Sequence, residues 1–177
     1  TTTALYLAQY LALAGLRVLA IDLDPQASLS AMFGYQPEFD IAENETLYGA
    51  IRYDERRRPM QEIIRPTYFS GIGLVPGNLE LMEFEHHTPR AMIERRERGH
   101  DLFFRRVAGA IDQVADSYDV VVVDCPPQLG YLTMGALNAA TAMLLTIHPQ
   151  MVDVASMSQF LLMTADLVAV IEEAGGK

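Results

Sequence analysis

The sequence predicts an α/β fold with a mostly parallel central sheet and helices on both faces. Two apolar segments, residues 17–22 and 119–124, have the composition of strands buried on both faces, as in covered parallel sheets. They alternate with helical patterns, which is typical of βαβ units. With 177 residues, half of them hydrophobic, the chain is large enough for one domain with a substantial core.

Helices in the first half of the chain are indicated by apolar spacing and by stop or cap residues. Gly15 and Gly34 are stop signals, and Thr46 and Asn78 are candidate N-caps. The predicted helices are residues 3–14, 27–33, 47–53 and 78–85. Turn residues and charges separate them. They predict a buried strand at 71–77, a short strand or edge at 62–64, and loops at 35–45 and 54–59.

The clearest strand of the whole chain lies in the second half. Residues 120–123 are four consecutive valines, and Cys125-Pro126-Pro127 follows the strand and ends it. A third buried strand is predicted at 142–147, where apolar residues run up to a His-Pro pair. The predicted helices are residues 91–97, 102–115, 129–140 and 154–173.

Charge and cysteine content exclude several classes of protein. The net charge is −10, although eleven of the 13 basic residues fall within residues 52–106. This acidity argues against a simple nucleic-acid-binding surface and leaves room for a local arginine patch. No apolar run reaches the roughly 18 residues of a membrane-spanning helix. A single cysteine, Cys125, excludes an internal disulfide and fits a reducing cytoplasm.

Acidic residues stand where the two clearest strands end. Asp22 and Asp24 close the first strand, and Asp124 closes the valine strand. Because ligands of open α/β sheets bind beyond the carboxyl ends of the strands, we expect these carboxylates to face one phosphate-and-metal site. One carboxylate would hold a metal-bound water and another would orient an attacking water. The alternative is an ordinary turn, since Asp-Pro is common in turns.

Two further features point to phosphate. Thr1 and Thr2 stand at a helix N-terminus, where free N–H groups and the helix dipole attract anions and a hydroxyl can ligate Mg²⁺. The alternative is a simple N-cap. Gly130 follows the valine strand, and a glycine there would let the backbone approach a γ-phosphate.

Four motifs together resemble one family. They are residues 1–5 (TTTAL), 21–28 (IDLDPQAS), 123–130 (VDCPPQLG) and 148–160. This set resembles the ParA/MinD group of deviant Walker A P-loop ATPases, in particular plasmid-partitioning ParA proteins such as RepA of repABC replicons. The resemblance covers essentially all 177 residues. It implies a P-loop NTPase-like fold and a single ATPase domain fragment, residues 1–177. The first strand, the phosphate loop with both motif lysines, and the C-terminal part are expected outside it.

The resemblance also implies roles for single residues. The catalytic residues would be Asp24, which positions the attacking water, and Asp22, which supports the metal–water shell. Mg²⁺ would be ligated by Thr1 and held through water by Asp124. The residues that would bind the nucleotide are Thr1, Thr2 at the α-phosphate, Gly130 at the γ-phosphate, and Pro149.

The implied function is ATP-dependent partitioning of plasmid DNA. ATP with Mg²⁺ would drive homodimerisation and DNA binding without sequence preference, and a ParB-type centromere-binding protein would stimulate hydrolysis. The protein would be cytoplasmic, nucleoid-associated when ATP-bound, with no membrane role, and the fragment alone is expected to be inactive. One alternative is a MinD-like membrane-associated positioning ATPase, which needs a C-terminal amphipathic helix. The other is a non-catalytic interaction module.

Other reactive side chains receive structural interpretations. His86 and His87 with Glu83 and Glu85 match no zinc-site spacing, so they read as a solvated helix end. The arginine clusters at 56–58 and 95–98 alternate with acids and are expected to form salt-bridged surfaces. Cys125 is expected to be a buried, inert thiol.

Overall fold

The structure is a computed structural model and describes residues 1–94, 102–146 and 151–173. Its four-stranded sheet contains β1 (Val18–Asp22), β2 (Arg65–Pro66), β3 (Ile72–Val75) and β4 (Val120–Asp124). The spatial order is β2-β3-β1-β4. The strand β1 runs parallel to β3 and β4, and β2 pairs antiparallel with β3. The predicted mostly parallel sheet is therefore confirmed.

Helices in the described residues lie between and after these strands. They are α1 (Thr2–Leu13), α2 (Ser28–Met32), α3 (Pro37–Asp40), α4 (Leu47–Ile51), α5 (Met60–Ile63), α6 (Leu81–Ile93), α7 (Arg105–Asp112), α8 (Tyr131–Ala139) and α9 (Met151–Glu173). Gly15 and Gly34 follow α1 and α2 with φ of 91° and 93°, the left-handed conformation that makes glycine a helix stop.

The central strand β1 shows why helices cover both faces of the sheet. All five of its residues are buried, and successive side chains point to opposite faces. Leu19 and Ile21 belong to the core formed with α4, α6, α7 and α8. Val18 and Ala20 belong to a second core under α1 and α2. An apolar strand without polar alternation is the expected result of this double burial.

The predicted strand at 142–147 is wrong over the residues that the structure describes. Residues 142–146 form no strand, and Met143 and Leu144 are 46% and 66% exposed. A segment is a strand only where it pairs with a neighbouring strand, and residues 142–146 pair with none of the described strands. The strand β4 pairs only with β1 among the described residues, so its other edge is open there.

Short elements account for most other differences. Residues 62 and 63 of the segment predicted as a short strand or edge at 62–64 belong to α5, because one helical turn points both Met60 and Ile63 into the core, where neither is exposed. The strand follows as β2. The predicted loop at 35–45 contains α3, which begins at Pro37, a residue suited to the first helical position.

Neither of the two predicted N-cap residues, Thr46 and Asn78, caps a helix with its side chain. Thr46 does precede α4, but its hydroxyl donates to Glu80 at 3.1 Å rather than capping the helix. Asn78 accepts a hydrogen bond from the Glu80 backbone in a turn, and α6 starts only at Leu81. Residues 81–85 and 91–93 of the helices predicted at 78–85 and 91–97 belong to one helix, α6, which continues through Pro89, and residues 95–97 lie outside the described residues. The arginine cluster at 95–98 lies outside the described residues.

Candidate functional site

The carboxyl ends of β1 and β4 bring two of the predicted acids together. Asp22 and Asp124 are direct partners in the parallel ladder, and the Leu23 N–H donates to the Asp124 carbonyl at 2.9 Å. The strand β1 is buried throughout and β4 is partly buried, and both are apolar up to this edge, where their first acidic side chains lie side by side. This is the edge at which ligands of open α/β sheets bind.

Asp124 faces the start of α1. The N-terminal nitrogen of Thr1 lies 3.1 Å from Asp124 Oδ1. The other carboxylate oxygen, Oδ2, is buried and has no hydrogen-bond partner among the described residues. A buried carboxylate oxygen without a partner is costly, and a cation or its water would satisfy it. Thr2 is the exposed first residue of α1.

The donor set fits Mg²⁺ better than a metal enclosed by protein ligands. Within 1–94, 102–146 and 151–173, no group of three or more His, Cys, Asp or Glu side chains could hold a metal ion. Mg²⁺ commonly keeps several waters and takes only one or two protein ligands together with phosphate oxygens. Asp124 together with Thr1, a threonine whose backbone nitrogen lies beside it at the start of α1, is a set of that kind.

Asp22 is fully buried and engaged by its neighbours. Its Oδ2 accepts hydrogen bonds from both the backbone N–H and the hydroxyl of Ser30, each at 2.7 Å. Oδ1 accepts a longer one from the Asp24 N–H at 3.3 Å. Burial raises the pKa of Asp22 to about 6, which the Ser30 hydrogen bonds oppose and the Asp124 charge assists. The geometry therefore favours a role in positioning Asp24 and α2.

Asp24 is half-buried at the mouth of the same edge. Its Oδ1 accepts from the Gln26 N–H at 2.9 Å, and its carbonyl accepts from the Ala27 N–H at 2.9 Å. Ala27 has a φ of 54°, so the turn that begins at Asp24 is tightly wound. Within the described residues Oδ2 accepts no hydrogen bond, and it is available to orient a water.

Ser30 and Gly77 hold this turn in place, although neither is predicted as a site residue from the sequence. The Ser30 hydroxyl connects Asp22 to Gly77, because it donates to the Asp22 carboxylate and its oxygen accepts from the Gly77 N–H at 3.1 Å. A Cβ on Gly77 would lie 2.6 Å from the Asp22 carbonyl oxygen and 3.0 Å from that of Asp24. Gly77 closes the strand predicted at 71–77, which contains β3, and a glycine at a strand end of this sheet is a sequence signal for a close backbone approach. No sequence signal marks Ser30.

Gly130 precedes α8 and is approached by a carboxylate of the protein itself. Its φ of −100° and ψ of −172° suit any residue, so space rather than backbone conformation explains the glycine. A Cβ there would lie 2.5 Å from Glu85 Oε1. The sequence predicts only a solvated helix end for Glu85, together with His86 and His87. Its contact with the start of α8 leaves no signal in the sequence.

The remaining residues singled out from the sequence fall elsewhere. Pro149 lies outside the described residues. Arg58 pairs with Glu45 and Glu62, as expected of a salt-bridged surface. Cys125 is exposed, so its predicted burial is wrong. Partial desolvation and the adjacent Asp124 raise the pKa of its thiol to about 11, which disfavours the reactive thiolate.

A surface cleft at the opposite end of the sheet does not share this chemistry. It encloses about 360 Å³ between Arg17, Arg65 and the start of β3. Its lining lies at the amino end of β1, away from the edge where Asp22 and Asp124 meet. No helix in the described part of the chain is long and apolar enough to cross a bilayer.

Comparisons with known proteins identify relatives along the whole chain. A family model described as AAA domain matches residues 1–173. "Putative replication protein A" of Rhizobium rhizogenes is 63% identical over 177 residues, covering all of this chain and 44% of that protein. "Chromosome partitioning protein ParA" of Myxococcus xanthus is 34% identical over 168 residues, covering 95% of this chain and 54% of that protein. The chain thus spans about half the length of these relatives.

A solved structure gives the same fold. Cobyrinic acid a,c-diamide synthase from Mycobacterium smegmatis, with a bound ATP analog and magnesium, superposes with a TM-score of 0.65 at 27% identity. The match covers 78% of this chain and 51% of that one. Because one fold serves several reactions, this neighbour bears on the fold of the chain and not on its biological role.

Proposed function

Because the chain belongs to the AAA-domain family of P-loop ATPases, among relatives of the ParA partition type, we propose that it is part of a Mg²⁺-dependent ATPase that segregates plasmid DNA. The observation that carries the proposal is the buried Oδ2 of Asp124, which lacks a partner among the described residues and lies at the sheet edge where α1 begins. Asp24 stands at the same sheet edge with an available carboxylate oxygen.

Hydrolysis at this edge would depend on positioning and electrostatics. The Thr1 hydroxyl and Asp124, through water, would hold Mg²⁺, whose charge would neutralise phosphate oxygens. Asp24 would orient a water toward the γ-phosphorus, and the bond from phosphorus to the ADP oxygen would break as the water oxygen attached. Asp22 would hold the Asp24 turn through Ser30. Thr2 and Gly130 would contact the α- and γ-phosphates, and Pro149 is proposed to contact the nucleotide.

We further propose that a strand and phosphate loop upstream of Thr1 complete the site in a longer protein. The open edge of β4 supports this, because a parallel strand added there would bury an edge that the described strands leave unpaired. Met143 and Leu144 would then have a new edge nearby. On this proposal residues 1–177 alone hydrolyse no ATP.

Similarity to a partition protein, together with the four motifs, supports the following biological cycle. ATP binding would pair two copies of the protein, and the homodimer would bind DNA without sequence preference. A ParB-type centromere-binding partner would stimulate hydrolysis and release the dimer. The protein would work in the cytoplasm, on the nucleoid while ATP is bound.

Calorimetric titration with ATP and Mg²⁺ tests the proposal. The longer protein should bind, an Asp124→Asn variant should lose most of the Mg²⁺-dependent part of the affinity, and this chain alone should bind weakly or not at all. Asp119→Asn is the matched control, since Asp119 stands at the other end of the same strand and pairs with Arg17. A folded longer protein that fails to bind ATP would refute the ATPase proposal and favour an interaction module.

A further inference from the structure

The start of α8 is held by a carboxylate from another helix. Glu85 of α6 accepts the Leu132 N–H on Oε1 at 2.9 Å and the Tyr131 N–H on Oε2 at 3.1 Å. These two N–H groups belong to the first turn of α8, where no intrahelical acceptor is available to them. The carboxylate thus supplies the negative charge that the helix dipole favours there.

The loop before α8 is closed by the same arrangement. The Gly130 N–H turns back to the Gln128 carbonyl at 3.1 Å, and the Thr133 hydroxyl donates to that carbonyl at 2.6 Å. The absence of a side chain at Gly130 leaves the space that Glu85 occupies, since a Cβ would lie 2.5 Å from its Oε1. The N–H groups of residues 130, 131 and 132 are therefore all taken by acceptors within the protein.

We propose that the Glu85 carboxylate competes with the γ-phosphate of ATP for the N–H groups at the N-terminus of α8. This rests on the proposed function, in which Gly130 approaches the γ-phosphate. A γ-phosphate at Gly130 needs N–H donors, and it brings negative charge close to the Glu85 carboxylate. ATP must therefore loosen the Glu85 contact, whereas ADP, without a γ-phosphate, leaves it intact. Glu85 thus lowers the preference of the site for triphosphate over diphosphate.

The test is the ratio of ADP to ATP dissociation constants in the longer protein, measured with Mg²⁺ and a non-hydrolysable ATP analog. Glu85→Gln keeps the shape of the side chain and one acceptor oxygen but removes the charge. We expect it to tighten the analog relative to ADP by about two- to fivefold, the range of a charge at a helix N-terminus. A merely structural role would change both constants alike and leave the ratio unchanged.

Glu83→Gln is the matched control, because Glu83 lies on α6 two residues away, is exposed, and pairs with His87 instead of α8. Hydrogen exchange of the Tyr131 and Leu132 amides without nucleotide should be faster in Glu85→Gln and unchanged in Glu83→Gln. Glu85→Ala replaces the Gln variant if the latter does not fold. If the wild type binds the analog but neither Glu85 variant changes the ratio of the ADP and analog dissociation constants, this inference is overturned and the proposed function stands. Failure of the wild type to bind nucleotide overturns the proposed function and this inference with it.

Discussion

Gly77→Ala perturbs the turn that holds Asp24 by adding a single methyl group. The backbone of Gly77 passes so close to the end of β1 that a Cβ would lie 2.6 Å from the Asp22 carbonyl oxygen and 3.0 Å from the Asp24 carbonyl oxygen. Both neighbours are backbone atoms, so no side-chain rotation relieves the contact. The Gly77 N–H also donates to Ser30, which in turn binds Asp22.

The size of the destabilisation follows from how far the backbone must move to relieve the short carbon–oxygen distances. Restoring an ordinary carbon–oxygen contact requires a backbone shift of about 0.5 Å or more, and overpacking of this kind costs about 1–3 kcal/mol. The free energy of unfolding should fall by that amount. This backbone shift displaces Asp22 and Asp24 themselves, because their carbonyl oxygens are the atoms in close contact. Because a misplacement of about 1 Å can cost roughly 100-fold in rate, we expect kcat for ATP to fall about 10- to 100-fold.

Urea denaturation and steady-state ATP hydrolysis in the longer protein measure the two effects. Gly109→Ala is the matched control, because Gly109 lies inside α7 and a Cβ there meets no atom within 4 Å. Alanine should stabilise that helix by about 0.5–1 kcal/mol. If Gly77→Ala unfolds at the wild-type urea concentration and hydrolyses ATP at the wild-type rate, the close-approach reasoning is refuted.

Two titrations test the electrostatics of the strand ends. Because burial raises the pKa of Asp22 from 3.8 to about 6, ionising it costs the folded state, so the free energy of unfolding should fall by roughly 3 kcal/mol as pH rises from about 4 to 6. Asp22→Asn should lack this decline in urea titrations, and parallel curves for the two proteins would contradict the burial argument. At the other end of the sheet, hydrogen bonds from Arg17 lower the pKa of Asp119 to about 2, so the stability from this pair is present above pH 3.8 and lost as pH falls toward 2. Arg17→Ala removes the guanidinium and keeps the backbone N–H that also binds Asp119, so the Asp119 pKa, followed by NMR, should move part of the way toward 3.8, and an unmoved value would exclude the guanidinium as its main cause.

The two strands that carry the site could be predicted because each is a run of consecutive apolar residues. Four valines can be accommodated in few places other than a covered parallel strand, and the same holds for the apolar run before Asp22. Once both strands are parallel neighbours, their terminal carboxylates must share an edge. The sequence alone therefore predicts that Asp22 and Asp124 converge.

Other features depend on contacts between distant parts of the chain. The apolar residues 142–146 have the composition of a strand, but pairing depends on an available edge that composition does not record. Met60 and Ile63 fit equally well into a short helix or a strand, and only the core beneath them decides. Glu85 reaches the start of α8 across 46 residues of sequence, and no local pattern encodes such a contact.

The measurement that tests the account most directly is single-turnover hydrolysis of ATP by the longer protein with Asp24→Ala, alongside ATP binding. Asp24 is proposed to orient water without holding the nucleotide. The variant should therefore bind ATP with Mg²⁺ as tightly as the wild type, and it should hydrolyse ATP about 100-fold more slowly or worse. Hydrolysis at the wild-type rate by a properly folded Asp24→Ala protein would contradict the assignment of this sheet edge as the catalytic site.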